Sequence, residues 1–140
     1  MQKPKPKPNL PSVSDIGIES HAMKRLVQIR SYRLRPDAQV PFHRVFLEQC
    51  VPMLRDRGHD VVAFGPSPHD ADAYYLVRAY DDLGDLAARQ DAFYGSPQWR
   101  QGPREAVLAM IDQYLDAVLW LSPESVEDLR RGNAGPTDPP

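Results

Sequence analysis

A chain of 140 residues is long enough to bury one core of its own, and its single cysteine, Cys50, rules out an internal disulfide framework. With 17 basic against 19 acidic residues the formal net charge is −2, and no basic stripe interleaves with aromatics, so nucleic acid is not an expected partner. No apolar run is long enough to span a membrane, and no apolar segment follows Lys3, Lys5 and Lys7 as a secretion signal requires; a cytoplasmic protein is expected.

Residues 1–22 open with alternating Lys and Pro, Lys3-Pro4-Lys5-Pro6-Lys7-Pro8. Such a run favours extended polyproline II and buries little apolar area, so it reads as a disordered extension, with Met1 or Met23 as the true start. The first strand is expected from Leu26 to Leu34. Its even positions are Leu26, Gln28, Arg30, Tyr32 and Leu34, and its odd positions are Val27, Ile29, Ser31 and Arg33, on opposite faces. A helix follows from Val40 to Arg57, with Phe42, Val45, Phe46, Gln49, Met53 and Leu54 as one buried stripe. Gly58 stops it, and Pro52 inside it predicts a kink.

His59 to Gly65 reads as a second strand and Ala73 to Tyr80 as a third, joined by a Pro-rich loop. The third repeats the pattern of the first, with Tyr74, Leu76, Arg78 and Tyr80 on one face and Tyr75, Val77 and Ala79 on the other. Asp82 can cap a helix from Leu83 to Tyr94, with Leu83, Leu86, Ala87, Gln90 and Phe93 inward. A corner follows. Gly95 can end that helix in the left-handed region, Ser96 can cap the next one, Pro97 suits its first position, and Phe93, Tyr94 and Trp99 gather there as core anchors. After Gly102-Pro103 a helix resumes through Val107, Met110 and Ile111, and Asp116 to Leu121 is the last strand. The chain from 124 to 140 reads as a mobile Pro-rich tail whose charged beginning has short-helix character.

The order β-α-β-β-α-β predicts an α+β, ferredoxin-like protomer over residues 23–123. The aliphatic strand faces are expected under the helices. The Gln28, Arg30, Tyr32, Tyr74, Arg78 and Tyr80 face is then left for a second copy to cover, which predicts a homodimer built sheet to sheet.

Val27-Gln28-Ile29-Arg30-Ser31-Tyr32 with Leu34 and Pro36-Asp37 resembles the opening strand of NIPSNAP-family proteins, and Phe93 with Ser96-Pro97-Gln98-Trp99 resembles their second landmark. The resemblance runs roughly from Lys24 to Pro123. Where that family usually has Pro-Gly, this chain has Pro36-Asp37. The resemblance implies a place in the dimeric α/β-barrel superfamily, whose members include cofactor-free monooxygenases, isomerases, dehydratases and haem proteins. It implies a fold rather than a reaction.

Candidate ligand-binding residues are Gln28, Arg30, Tyr32, Tyr74, Arg78 and Tyr80. An arginine can hold a carboxylate or enolate oxygen, and a tyrosine can donate a proton or hydrogen bond to it. The same residues could instead bridge two protomers. Tyr32, Tyr80 and His43 are the candidates for catalysis; His43 could act as a base beside a pocket or simply sit near a helix start. His59, at a strand start, and His69, in a loop, form no ligand spacing with each other, with His43, with Cys50 or with a run of carboxylates, so no metal and no cofactor is expected. Cys50 has no activating neighbour in sequence and reads as a small core residue. Two functions stand: a protein that binds or transforms a small aromatic or polyketide-like molecule, as a cofactor-independent monooxygenase or isomerase would, and a non-catalytic dimeric scaffold that engages another protein. Arg30 and Arg78 are expected close together on neighbouring antiparallel strands, their counter-charge coming from another strand, another protomer or a ligand.

Overall fold

Four strands, β1 (Arg25–Leu34), β2 (Asp60–Pro66), β3 (Ala73–Tyr80) and β4 (Ile111–Leu121), form one antiparallel sheet in the order β2-β3-β1-β4. The computed structural model describes residues 23–134; the extension expected over 1–22 and the last six residues lie outside them. Helix α1 spans residues 39–56 and crosses from β1 to β2. Then α2 (Leu83–Tyr94), α3 (Pro97–Gln101) and α4 (Arg104–Met110) lead from β3 back to β4, and α5 (Pro123–Gly132) follows β4. This is the ferredoxin-like arrangement, in which α1 to α4 belong to one side of the sheet. Among the described residues no helix is long and apolar enough to cross a membrane.

The side that the helices cover is the reverse of the expected one. Tyr32, Leu34, Tyr74 and Leu76 join Phe42, Phe46, Leu54, Phe93, Trp99 and Val107 in the main core. Val27, Ile29, Tyr75, Val77 and Ala79 lie on the other side. The reason is aromatic packing. Tyr32 meets Phe42 and Phe46 edge-on, with ring centroids 5.4 and 5.7 Å apart, and Tyr74 meets Phe42 at 4.9 Å. Such contacts contribute beyond the buried area alone, and aliphatic strand residues could not supply them. The Arg and Gln side chains on that face are tolerated because their polar atoms bond to one another and to tyrosines.

Helix α1 carries a π turn just ahead of Pro52. Residues Phe46–Cys50 form it, and the N–H of Val51 donates to the carbonyl of Phe46, five residues back. The turn absorbs the break that the missing proline N–H imposes on the next one. It also changes which residues face inward: Gln49 is exposed, contrary to the expected stripe, while Cys50 is buried, in line with its reading as a small core residue. Ahead of α1, Asp37 takes a left-handed conformation, φ 64°, at the position where the resembled family has glycine. Gly58 ends α1 in the left-handed region, φ 84°, as expected.

Two boundaries move. Strand β4 starts at Ile111, five residues before the expected Asp116, because its apolar residues occupy both faces and so hide the two-residue period. The segment after Ser122 is the ordered helix α5 and belongs to the domain, so the tail expected from 124 does not begin there. Ser122 caps α5 by accepting the Ser125 N–H, and Val126 and Leu129 pack against Val27, Val62, Ala63, Val77 and Ala79 on the side away from the other helices. Arg130 pairs with Asp60 of β2 at 3.0 Å. Helix α5 covers one end of that face. On the β4 edge of the face, Leu115 (72% exposed) and Leu119 (40%) stay uncovered.

Candidate functional site

The corner between α2 and α3 sets the site. Ser96 Oγ accepts the Trp99 N–H at 3.2 Å and donates to the Phe93 carbonyl at 2.7 Å, so one hydroxyl ends α2 and starts α3. Pro97 sits at the start of α3, as expected. Gly95 does not enter the left-handed region; its φ is −86°, and its small size serves a close approach, since a Cβ there would lie 3.0 Å from the Asp91 carbonyl oxygen. Phe93, Tyr94 and Trp99 meet in pairs with ring centroids 5.0 to 5.5 Å apart. Phe93 and Trp99 are buried, and Tyr94 is partly so.

Beside this corner, between the sheet and helices α1 to α4, lies a cavity of about 520 Å³. Its floor is Arg30, Tyr32 and Leu76 of the sheet. Phe46, Cys50, Phe93, Tyr94, Trp99 and Val107 supply most of its walls, and Asp91, Arg104 and Leu108 reach it from exposed positions on α2 and α4. A volume of this size suits one small organic molecule.

The polar end of the cavity is built on Tyr94. Its hydroxyl oxygen accepts from Arg78 Nη1 at 3.0 Å and from Arg30 Nη1 at 3.3 Å. The two arginines are therefore close, as expected, and a tyrosine joins them. The counter-charge of Arg30 comes from another strand: Asp116 of β4 accepts from Nε at 2.8 Å and from Nη2 at 3.0 Å, while the Arg30 guanidinium lies 4.3 Å from the Tyr114 ring centroid. Burial works against the Arg30 charge, and the Asp116 hydrogen bonds together with the nearby tyrosine hydroxyls more than offset it, so its pKa is raised.

Arg78 is fully buried. Its Nη2 donates to Gln28 Oε1 at 3.0 Å, and that oxygen also accepts from Gln90 Nε2 at 2.5 Å. Gln90 reaches the Tyr80 hydroxyl at 3.2 Å, and that hydroxyl lies 2.8 Å from His59 Nδ1. His59 Nε2 donates to the Arg89 carbonyl at 3.2 Å, which leaves Nδ1 to accept the Tyr80 proton. Burial, with the Arg78 charge adding to it, lowers the His59 pKa to about 4, so the ring is neutral near pH 7. Burial raises the Tyr80 hydroxyl and, more strongly, those of Tyr32 and Tyr74.

The six expected ligand residues share the helix-facing side of the sheet but do not share one pocket. Arg30 and Tyr32 line the cavity; Gln28, Arg78 and Tyr80 form a layer behind it. Tyr74 lies elsewhere, its hydroxyl 2.7 Å from Nδ1 of His43, and neither residue lines the cavity. His69 is bonded to Ser67 in its loop. Cys50 lines the cavity, with its thiol pushed up to about 12 by burial and so protonated.

Sequence reasoning missed Tyr94, Gln90 and Asp116 as site residues. Gln90 and Tyr94 stand four apart on α2, a spacing that puts them on one helix face. Asp116 sits directly opposite Arg30 across the β1–β4 ladder, a pair set by the register of two strands far apart in the chain, which sequence alternation alone does not give. Among the described residues no group of three or more His, Cys, Asp or Glu side chains is placed to hold a metal ion.

No protein-family model matches the sequence, and no curated protein matches it significantly. Solved structures do match. A NIPSNAP family protein of unknown function from Agrobacterium tumefaciens superposes with a TM-score of 0.65 at 17% identity, covering 71% of this chain and 90% of that one. An uncharacterised NIPSNAP-like domain protein from Burkholderia xenovorans gives 0.64 at 18% identity, covering 84% and 91%. A protein provisionally named an antibiotic biosynthesis monooxygenase, from Nitrosomonas europaea, gives 0.53 at 17% identity over 67% and 95%. The chain has the NIPSNAP-family fold, within the ferredoxin-like class.

Proposed function

We propose that this protein binds a small, largely aromatic molecule in the cavity beside Trp99, with a polar group of that molecule directed at Tyr94 and Arg30. The observation that carries the reading is the Tyr94 hydroxyl. Its oxygen accepts two arginine N–H groups, so its own proton remains to be donated, at the edge of a cavity walled by Phe46, Phe93 and Trp99. An oxygen of the occupant would receive that proton's hydrogen bond while the rings stack. Donation to an oxygen that gains negative charge suits enolisation, the first step of an isomerisation or of a cofactor-independent oxygenation. Asp91, the carboxylate among the lining residues, is the group available to take a proton from the occupant.

The working unit is a homodimer. The supporting observation is the run of uncovered apolar residues on the open side of β4, including Leu115 and Leu119. The same surface supports the second reading, a scaffold that holds another protein. The open cavity with convergent polar groups favours the first.

The test of binding is a titration with 2-naphthol, followed by NMR of the Trp99 indole and the Tyr94 ring. Saturable shifts of both are expected, and Leu108→Trp, which fills the cavity from an exposed position, should abolish them. Unmoved signals in the native protein would overturn the reading.

A further inference from the structure

Arg78 has a charge that its surroundings do not balance. The guanidinium is fully buried. Its bonded neighbours are Gln28 and Tyr94, both neutral, and its Nε has no partner among the described residues. The remaining groups of the layer around it are Gln90, the Tyr80 hydroxyl and His59, which burial keeps neutral. The carboxylate that this network reaches, Asp116, has both oxygens bonded to Arg30. Thus the hydrogen-bonded network that joins Arg78, Tyr94, Arg30 and Asp116 beside the cavity holds two guanidinium groups and one carboxylate. Burying a cation without its counter-ion is unfavourable, and replacing such a group by an apolar one of similar size is often neutral or stabilising.

Nothing in the hydrogen bonding makes Arg78 necessary for the fold. Without it, Gln28 Oε1 still accepts from Gln90, and the Tyr94 oxygen still accepts from Arg30. Its remaining effect is on Tyr94. An N–H of a buried cation bonded to the phenol oxygen polarises the O–H bond, and the polarised proton is a stronger donor to an anion than to a neutral acceptor.

Resting on the cavity reading above, we propose that Arg78 is the specificity-determining residue of the site and that, acting through Tyr94, it selects a monoanionic aromatic ligand, a carboxylate or an enolate, over its neutral isostere. The occupant's single negative charge completes the pairing that the protein leaves open. Arg78 itself does not line the cavity, so it acts as a positioning residue rather than a contact.

The experiment compares 2-naphthoate with 2-naphthamide, which have the same ring system and nearly the same shape, by calorimetry on the full-length protein. The native protein is expected to prefer the carboxylate at least tenfold. In Arg78→Met the preference should fall to within about twofold while the amide binds as before, and the melting temperature should hold or rise. Arg78→Lys, which keeps the charge, should restore part of the preference. Equal binding of both compounds to the native protein overturns this proposal and leaves the cavity reading standing. Binding of neither overturns both. A variant that loses affinity for both compounds together with its melting temperature assigns Arg78 a structural role and also overturns the proposal.

Discussion

On β1 the even-numbered side chains Gln28, Arg30 and Tyr32 lie beneath the helices, while odd-numbered Val27, Ile29 and Ser31 face the other way. The more polar set occupies the interior side. What separates the two faces is completeness. On the helix side, aromatic rings interlock with those of α1, and almost every buried side-chain polar atom has a partner; Arg78 Nε is the exception among the described residues. On the open side the buried cluster is small and aliphatic, with Tyr75 packed against it, yet only α5 packs over it, at one end. Hydropathy ranks side chains by what they would cost alone. Gln28 and Arg78 are buried because a network that runs through Tyr94 and Arg30 to Asp116 at the surface supplies them with hydrogen bonds.

The largest effect is expected on the open face. Leu119→Asp puts a carboxylate among its exposed apolar residues and should convert a native homodimer fully to monomer, as light scattering at micromolar concentration would report. A native protein that is already monomeric would break the comparison, because the open face would then be simply a solvent face. On the helix side, Trp99→Ala should reduce stability by about 3–5 kcal/mol in urea denaturation, the usual range for deleting a large buried ring. An unchanged midpoint would mean that the corner does not anchor the helices.

The third effect is pH-dependent and belongs to the polar layer. Unfolded His59 takes up a proton near pH 6.5, the folded protein only near pH 4, so the stabilisation is complete above about pH 7 and is lost as pH falls from about 6.5 to 4. The loss is at most on the order of 3 kcal/mol by linkage. Urea midpoints at pH 7.5 and 4.5 should diverge more in the native protein than in His59→Gln. Equal divergence would place the ring in contact with water and weaken the claim that this layer is closed.

Much of the fold was legible. Element order, the Gly58 stop and the Ser96–Pro97 start rest on local chemistry that needs no knowledge of the rest of the chain. The sheet faces were not legible by hydropathy, since the outcome depended on whether Arg78 and Gln28, directly opposite in register, would find each other. Alternation showed that Arg30 and Arg78 share a face, but not that Tyr94, sixteen residues beyond Arg78, closes over both. The late start assigned to β4 had the same root: an edge strand that is apolar on both faces shows no period.

The π turn in α1 has a consequence for how that helix measures distance. Its buried positions Phe42, Phe46, Cys50 and Leu54 recur every four residues. In a regular helix of 3.6 residues per turn, such a series rotates by roughly 40° at each step and leaves its face within three steps. The widened turn takes up that drift, so the residues before and after it aim at the same neighbours. Regular geometry with no residue lost would swing Val51 and Leu54 away from the core by roughly 100°, the rotation of one residue, whereas deleting one residue from the turn would restore regular geometry and leave them facing it. The half of α1 that holds Phe42 and the half that holds Leu54 are thus kept in phase by a single wide turn, and Phe46 and Cys50, the two ends of that turn, both form part of the cavity wall.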